Sequence, residues 1–426
     1  MKIKSTQMLL AFSDKSGNIY EYPNLEGAFR TGRKFVRINK NDLIKLPYGS
    51  VLFSLPDRYP VFYDKKDKNF QYITNSINGE EIWAASSFLT SGYLRTYLPA
   101  YINSNNAPIL PLWSYTGLVI IDGEFYAPAL RVDNDPRSDA ELHQNENELQ
   151  EEINIMLQKY PENRLIKQLS YCSTEYRCLC ARNFFLGRYE APIPTSPSCN
   201  ANCIGCLSHQ EGSEFSKSQE RINFKPTAQE IAEVILHHIE RVNTSVASFG
   251  QGCEGEPLLR GKELSKAIDI VRKKTDRGTI NLNTNASLPD MVKLLIKSGL
   301  DSIRISLNSP TIEYYNNHFR PVNYTYDDVI KSLEIALTAG IFVSINLFFL
   351  PGFTDMESEV NSLFNFLHKF PVNMIQTRNL NIDPDFYLDR IGFRESNPIG
   401  IKKLLELIRK NFPQIKLGYY NPPKEK

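Results

Sequence analysis

The sequence predicts an α/β protein in which a partial TIM-type barrel of six strand–helix steps follows a β-rich N-terminal domain. From about residue 190 onward, strand-like and helix-like segments alternate regularly. Such alternation is typical of a parallel sheet, because parallel strands need a crossover connection that a helix usually supplies. Before residue 140 the chain instead shows short β-branched and aromatic runs separated by Gly, Asn, Asp and Pro, as expected for antiparallel strands.

Length and composition fit a globular protein of two domains. The chain has 426 residues, of which 42% are hydrophobic and 23% charged. A formal net charge of +1 gives no bulk electrostatic reason to expect nucleic acid or membrane binding. The start of the chain lacks the apolar stretch of a signal peptide, and no window is apolar enough to predict a membrane span. Seven cysteines, an odd number, argue against a secreted disulfide scaffold and for a reducing cytoplasm.

Four segments are predicted along the chain. They are a β-rich domain of unassigned role (1–140), a helical linker with extra cysteines (141–189), the barrel core (190–395) and a C-terminal helix and tail (396–426). Asp122 and Gly123 predict a hairpin turn in the first segment. The aromatic residues of that segment could stack on a substrate or simply form its core. Tyr419 to Pro423, near the end of the chain, could be a lid or a mere tail.

The barrel elements follow in order. Strands are predicted near 191–195, 244–249, 279–283, 301–307, 342–350 and 373–377. Two capping boxes, Thr227 with Glu230 and Thr354 with Glu357, predict helix starts between these strands. Gly299 and Gly340 predict helix ends. In a parallel barrel the active face lies at the carboxyl ends of the strands, so side chains at those ends are the first candidates for chemistry.

A cluster of cysteines follows the first predicted strand. Cys199, Cys203 and Cys206 have C-x3-C-x2-C spacing on one short loop. Three thiolates can bind three irons of a cubane cluster and leave the fourth iron open, and an open metal position is what distinguishes catalytic from structural sites. Zinc is the alternative, although structural zinc sites usually contain a second C-x2-C pair and none follows here.

With this spacing the chain resembles the radical S-adenosylmethionine (radical SAM) superfamily. The resemblance covers about residues 190–385 and implies a [4Fe-4S] cluster on Cys199, Cys203 and Cys206, whose open iron is chelated by S-adenosylmethionine. It implies an oxygen-sensitive enzyme that receives an electron from a donor such as flavodoxin or ferredoxin. One electron then cleaves S-adenosylmethionine to a 5′-deoxyadenosyl radical.

The resemblance also implies cofactor-binding residues at successive strand ends. Gly255, Glu256 and Pro257 resemble the family's Gly-Gly-Glu-Pro motif, in which Glu256 would receive the amino group of S-adenosylmethionine. The other candidates, which follow later strands, are Asn285, Ser306, Asn308 and Gln376. Ser306 and Asn308 would hold the carboxylate and ribose. Two departures stand out: Glu254 replaces the first glycine of the motif, and Gly205 replaces an aromatic residue before the third cysteine.

A dinucleotide site is a rival interpretation of the same stretch. Gly250, Gly252 and Gly255 have the G-x-G-x-x-G spacing of a nicotinamide-binding turn after a strand. Such a site also needs an acidic residue at the end of the next strand to hold the ribose. The next predicted strand ends in residues 281–285, which contain no acid. An NAD-dependent oxidoreductase is therefore the less favoured alternative.

Four cysteines lie outside the motif. Cys172, Cys178, Cys180 and Cys253 could hold an auxiliary iron–sulfur cluster, or they could be packed core thiols, which is the more common fate of a cytosolic cysteine. Among the histidines, only His209 lies close enough to the cysteine loop in sequence to be a candidate.

The sequence therefore predicts a cytoplasmic radical SAM enzyme that modifies an unidentified substrate. The appended β domain favours a macromolecular substrate, protein or RNA, since a small molecule needs less recognition surface. A non-catalytic module that binds a metal or a cluster is the alternative from another class, and it does not explain the ordered polar residues at the strand ends.

Overall fold

The structure is a computed structural model that describes residues 7–143, 145–208, 218–395 and 397–425. The chain divides into two compact units, and neither is a single continuous segment. The first contains Met1–Ser138, Phe348–Phe364 and Thr377–Pro413, and the second contains Asp139–Leu347, Asn365–Gln376 and Gln414–Lys426. The four predicted segments with boundaries at 140, 189 and 395 stay a prediction.

The N-terminal part is β-rich, as predicted. Its strands are β1 (Leu9–Ser13), β2 (Ile19–Gly27), β3 (Phe29–Thr31), β4 (Lys34–Val36), β5 (Ile44–Lys45), β6 (Val51–Leu55), β7 (Arg58–Asp64), β8 (Asn69–Tyr72), β9 (Trp83–Phe88), β10 (Tyr93–Arg95), β11 (Leu98–Pro99), β12 (Tyr101–Asn103), β13 (Val119–Ile121), β14 (Glu124–Ala127) and β15 (Ala129–Arg131). In the described part of the chain, ten of them form one sheet with the central order β12-β7-β2-β1-β13-β14-β5. The pairings within this sheet are antiparallel.

The predicted hairpin at Asp122 and Gly123 is confirmed. Ile121 pairs with Glu124 across a two-residue turn. Both turn residues have positive φ, +53° at Asp122 and +78° at Gly123. Asp-Gly suits this turn, because both central positions of a type I′ turn need the left-handed region that Asp tolerates and Gly adopts freely.

Three helices follow the β-rich part: α1 (Glu146–Lys159), α2 (Arg164–Thr174) and α3 (Leu179–Phe185). Within the predicted helical linker (141–189) the chain breaks between α2 and α3. Arg177, at φ +47°, lies in the break and cannot continue a right-handed helix. The break places Cys178 immediately before α3.

The barrel core is a curled parallel sheet, as predicted. Its strands are β16 (Glu190–Pro192), β17 (Val246–Phe249), β18 (Thr279–Thr284), β19 (Ser302–Leu307), β20 (Phe342–Phe349), β21 (Met374–Asn379) and β22 (Lys416–Gly418), in that order across the sheet. The helices between them are α4 (Ala228–Arg241), α5 (Gly261–Arg272), α6 (Pro289–Ser298), α7 (Ile312–Phe319), α8 (Tyr326–Thr338) and α9 (Glu357–Lys369), and α10 (Pro384–Arg390) and α11 (Ile401–Asn411) follow β21. The first six strands match the six predicted steps.

A seventh parallel strand, β22, was not predicted. Lys416, Leu417 and Gly418 pair with β21, and the segment Gln414–Lys426 belongs to the second unit. Asn421 is buried there, and its side chain donates to Glu190 Oε1 at 2.8 Å. The interpretation of Tyr419 to Pro423 as a mere tail is therefore wrong at Asn421, and the interpretation as a lid stays a prediction.

The helix signals were correct in part. Thr227 and Glu230 form the predicted capping box at the start of α4, and Gly299 ends α6 at φ +109°. Thr354 does not cap α9, because the helix begins only at Glu357. Its hydroxyl instead accepts from the Leu350 N–H and donates to the Phe348 carbonyl within the preceding turn.

No helix among the described residues is long and apolar enough to cross a membrane.

Candidate active site

The cysteine loop follows β16, at the carboxyl end of the first barrel strand. Two of its backbone N–H groups, those of Asn202 and Ile204, donate to the carbonyls of Phe319 and His318 at 3.0 and 2.8 Å. Those carbonyls lie in the last turn of α7, where helix carbonyls have no intrahelical partner. These hydrogen bonds attach the cysteine loop to the end of α7 and give two terminal helix carbonyls a donor.

Gly205 explains one departure from the family pattern. It lies between Cys203 and Cys206 at φ +73°, in the left-handed region. An aromatic side chain at this position would be strained, because a Cβ atom disfavours that conformation. The preceding residue, Ile204, is buried.

Two of the three loop thiols, Cys199 and Cys203, lie in an environment that favours their protonated form. Burial raises the pKa of Cys199 to about 11, and the nearby Glu256 carboxylate acts in the same direction. Burial also raises the pKa of Cys203 well above the ordinary value, with further contributions from Cys206 and Cys199. Negative charge on Cys199 or Cys206 thus disfavours a thiolate at Cys203. A metal must displace their protons when it binds, which couples its affinity to pH.

The donor set fits an iron–sulfur cluster in type and position. Three thiols on one loop are the soft ligands that such a cluster requires. Across residues 7–143, 145–208, 218–395 and 397–425, no group of three or more His, Cys, Asp or Glu side chains is arranged so that it could hold a metal ion. The fit therefore rests on the ligand chemistry of the three thiols and on the electrostatic interaction of Cys203 with Cys199 and Cys206. It does not rest on a preformed arrangement of ligands, since none is found among the described residues.

The loop after β17 packs directly against the cysteine loop. Gly255 N–H donates to the Ser196 carbonyl at 2.7 Å, and Glu256 N–H donates to the Ser198 carbonyl at 2.9 Å. A Cβ atom on Gly255 would lie 1.9 Å from the Ser198 oxygen, and one on Gly250 would lie 1.7 Å from the Asn283 oxygen. Protein backbone occupies the space beside both glycines, which weighs against a dinucleotide pyrophosphate there.

Glu256 is buried, and its carboxylate is already hydrogen-bonded. It accepts from Leu258 N–H at 3.0 Å, from Thr284 Oγ1–H at 2.5 Å and from Asn285 N–H at 2.9 Å. Burial raises the pKa of Glu256 to about 7, although these hydrogen bonds oppose the shift. The carboxylate thus joins the end of β17 to the end of β18. Pro257, the next residue, begins a 3₁₀ turn in which Pro257 and Leu258 are buried.

Asn285 links the end of β18 to the cysteine loop. Its Nδ2 donates to Asn200 Oδ1 at 2.9 Å, and Asn200 Nδ2 donates to Ser287 Oγ at 2.8 Å. Asn200 lies between the first two cysteines in sequence, so this pair fixes the loop from a second side. Sequence analysis missed Asn200, which shows no signal beyond its place in the loop.

The later strand ends differ in how accessible their candidate residues are. Ser306 is half-buried on β19, whereas Asn308 is buried and donates to the Tyr314 carbonyl at 3.0 Å. Gln376 is fully buried: its Oε1 accepts from Arg304 at 2.6 Å and its Nε2 donates to Asn421 at 2.8 Å. Ser306 is therefore the most accessible of these three side chains.

Arg221 is a residue near the cysteines that sequence analysis did not single out. Its Nη2 lies 4.0 Å from Cys206 Sγ, and its guanidinium donates to Ser208 Oγ at 3.1 and 3.2 Å. The residue lies 15 positions beyond Cys206, too far for a local motif to indicate it. His209 lies outside the described residues.

The remaining four cysteines form no disulfide bond, and three of them lie near one another. The thiols of Cys172 and Cys253 are hydrogen-bonded, which lowers the pKa of Cys172 to about 7. Cys178 is close enough to act electrostatically on Cys253, and its N–H donates to the Cys172 carbonyl at 3.0 Å. Cys180 is half-buried. The predicted auxiliary cluster stays a prediction.

A curled parallel sheet with a three-thiol loop at its first strand end is the architecture of a cofactor-dependent barrel enzyme. Residues 193–367 match the family model described as the Radical SAM superfamily. Within that segment, which is less than half of the chain, the sequence is similar to the radical SAM superfamily.

Curated relatives share part of the chain. A probable GTP 3′,8-cyclase of Aeropyrum pernix is 29% identical over 167 residues, which is 39% of this chain and 44% of the relative. The GTP 3′,8-cyclase of Clostridium acetobutylicum is 26% identical over 185 residues, or 43% and 53% of the two chains. The chain thus spans about half the length of these relatives.

Solved structures resemble the chain more weakly. SuiB of Streptococcus suis bound to the precursor peptide SuiA is 14% identical, with a TM-score of 0.39 over 61% of this chain and 53% of that one. Methylornithine synthase is 14% identical, with a TM-score of 0.39 over 65% and 77%. At these scores the likenesses carry no argument about function.

Proposed function

We propose that the protein is a radical SAM enzyme in which Cys199, Cys203 and Cys206 ligate a [4Fe-4S] cluster and leave one iron for S-adenosylmethionine. When bound, this pair supplies reductive cleavage of the sulfonium to a 5′-deoxyadenosyl radical, which modifies a substrate not yet identified. The observation that carries the proposal is the packing of the cysteine loop against the Gly255–Glu256 backbone at adjacent strand ends, within the segment that matches the family.

The protein's own contribution is to bind and orient the cofactor and to exclude water. Gly255 and Pro257 shape the loop beside the cysteines, and Glu256 would provide the negative charge that receives the amino group. Ser306 and Asn308 would hold the carboxylate and ribose, and Asn285 is a further cofactor-binding candidate. For Gln376 the role is indirect, because both ends of its side chain are already bound within the protein.

The environment of Glu256 supports its proposed role. A carboxylate has about four lone-pair positions, and three are used by Leu258, Thr284 and Asn285. With a pKa of about 7, the group is close to half ionised at neutral pH in the metal-free protein. An ammonium group at the remaining position would favour the ionised form and lower the pKa of Glu256, so binding of the cation and ionisation of Glu256 support each other.

The substrate is proposed only as a class. A β-rich N-terminal region of more than 100 residues provides recognition surface that favours a macromolecule, protein or RNA. The GTP named for the relatives is not part of the proposal, since the chain spans about half of their length. The natural electron donor would be a flavodoxin or ferredoxin, and the free thiols suit a reducing cytoplasm.

The test is an anaerobic assay of the reconstituted protein. We expect dithionite-reduced protein to convert S-adenosylmethionine to 5′-deoxyadenosine, and Cys203→Ser to abolish the product because one iron loses its thiolate. Cys180→Ser, which removes a half-buried thiol outside the loop, is the comparison: it should retain product formation, because only the three-thiol loop is proposed to carry this cleavage, whereas a loss of product would support the auxiliary cluster. Absence of 5′-deoxyadenosine from cluster-loaded wild-type protein would instead favour a binding module.

A further inference from the structure

Glu254 is the residue that departs from the family's motif, and its carboxylate is not exposed. The residue is 4% exposed and lies in the loop after β17, two positions before Glu256. A free carboxylate at this depth would be strongly destabilising, so its partners must account for its presence.

The carboxylate of Glu254 accepts five hydrogen bonds from two loops. Oε1 accepts from Gly250 N–H at 2.6 Å and Gln251 N–H at 3.0 Å, within its own loop. Oε2 accepts from Thr195 N–H at 2.7 Å, Thr195 Oγ1–H at 3.0 Å and Ser196 N–H at 2.9 Å. Each oxygen therefore serves a different strand end.

The second set of donors lies on the segment that leads into the cysteine loop. Ser196 is three residues before Cys199, and the hydrogen bond from Gly255 N–H to the Ser196 carbonyl adds to the same attachment. The segment before Cys199 is thus attached to the loop after β17 by the Glu254 carboxylate together with the N–H groups of Gly255 and Glu256. An outer-shell group that fixes the backbone of a ligand also fixes the position of its metal.

We propose that Glu254 is a positioning residue that sets the geometry of the Cys199 segment and, through it, of the cluster. The inference rests on the proposed function, because it concerns the cluster that the three cysteines would hold. A glycine at this position, as in the family's usual motif, cannot make these contacts. This chain therefore uses a side chain to make the attachment.

Replacing the Glu254 carboxylate by an amide changes its hydrogen bonds and little else. A carboxylate is an acceptor at both oxygens, whereas an amide presents an N–H₂ group at one of them. In Glu254→Gln one pair of N–H donors would face another donor, and one of the two loops would be released. The variant preserves shape and volume, so its effect reports on the hydrogen bonds.

The chain offers a closely matched control in Glu230. Its buried carboxylate also accepts five hydrogen bonds, from the N–H, Nε and Nη2 of Arg164 and from the N–H and hydroxyl of Thr227. These bonds fix the start of α4 and do not involve the segment before Cys199. Glu230→Gln thus imposes a similar loss on the fold without changing the cysteine loop.

The experiment compares the two variants after anaerobic reconstitution, by the electron paramagnetic resonance spectrum of the reduced cluster and by 5′-deoxyadenosine formation. We expect Glu254→Gln to broaden the spectrum, because the thiolates occupy more than one arrangement, and to lower the rate by about 10- to 100-fold, as is typical of outer-shell partners. Glu230→Gln should show the wild-type spectrum. Identical spectra and rates in both variants would overturn the proposal.

A second variant covers the case in which Glu254→Gln does not fold. Thr195→Val removes only the hydroxyl donor to Oε2 at a fully buried position and keeps the carboxylate. A broadened spectrum with a smaller loss of rate is expected, and a spectrum identical to wild type would contradict the proposal. Failure of the proposed function itself would be seen earlier, as a wild-type protein that binds no cubane cluster.

Discussion

Gly255 allows two backbone segments at the site to approach each other more closely than any side chain would permit. The nearest atoms to its missing Cβ are the Ser198 carbonyl oxygen at 1.9 Å and carbon at 2.3 Å. Both belong to backbone that leads into Cys199 and cannot move without moving the cysteine. The family motif indicated a glycine near a cofactor, whereas the structure shows that it makes room for the cysteine loop.

Gly255→Ala should therefore disrupt the site more than it disrupts the fold. A methyl group must displace the Ser198 carbonyl, and such overpacking costs about 1–3 kcal/mol. We expect iron content per chain to fall after reconstitution, measured together with the free energy of unfolding in urea.

Gly340→Ala is the control for this change. Gly340 has φ +72° and open space around the missing Cβ. Its substitution therefore measures only the free-energy cost of placing alanine in the left-handed conformation, about 1 kcal/mol. That variant should bind iron as wild type does. Equal iron binding by Gly255→Ala and wild type would show that the contact with Ser198 does not position the cysteines.

The sequence predicts single site residues where they belong to a motif with a fixed spacing. The three cysteines and the Gly255–Glu256 pair follow from short local patterns. Glu254 was noticed only as an exception, because its partners Thr195 and Ser196 lie more than 50 positions earlier in the chain. The sequence shows which residue type stands at a position, but not which distant backbone groups it will meet.

The turn after β20 shows the same limit for a whole element. Thr354 and Glu357 have the spacing of a capping box, but the chain makes an additional turn before α9. Asp355 is the buried residue of that turn, and it accepts from Gly352 N–H at 2.6 Å and Gly400 N–H at 3.1 Å. Thus Asp355, and not Thr354, joins this turn to the segment that begins α11.

Asp355 should make stability depend on pH. Burial raises its pKa to about 6, from an ordinary value of 3.8. Since the folded state then holds the proton more tightly than the unfolded state, the free energy of unfolding should fall as pH rises from about 4 to 6 and be flat above 7. Relative to Asp355→Asn, the fall should be on the order of 2 kcal/mol in urea titrations.

Glu230 is the comparison for Asp355, because its pKa is shifted in the opposite direction. The hydrogen bond from Arg164 lowers the pKa of Glu230 to about 2, so its contribution is complete above about pH 4.5 and is lost only in stronger acid. Between pH 5 and 8 the difference between wild type and Glu230→Gln should be constant. A constant difference for Asp355→Asn between pH 4 and 7 would contradict the assignment of a raised pKa.

Elements were predicted best where they are long and repeated. The six barrel strands lie within a few residues of the expected positions, because alternation of strand and helix is a signal that many residues share. Strand β22 contains three residues and was missed, since so short a run has no periodicity. The break between α2 and α3 was also missed, because the apolar pattern continues across it.

In the second unit a series of hydrogen-bonded polar side chains connects distant parts of the sequence. Arg304 on β19 donates to Gln376 on β21, Gln376 donates to Asn421, and Asn421 donates to Glu190 on β16. The last of these bonds spans 231 positions. Sequence analysis placed Gln376 at a strand end but could not show that the C-terminal segment returns to bind it, because nothing local to Asn421 indicates its partners.

The central claim is that three thiolates leave one iron open and that S-adenosylmethionine binds there. Electron–nuclear double resonance on the dithionite-reduced protein, with S-adenosylmethionine labelled with ¹⁵N at its amino group, tests this directly. The account predicts hyperfine coupling between the label and the cluster, and its loss in Cys203→Ser. A cluster signal that shows no coupling to the label at saturating S-adenosylmethionine would contradict the account.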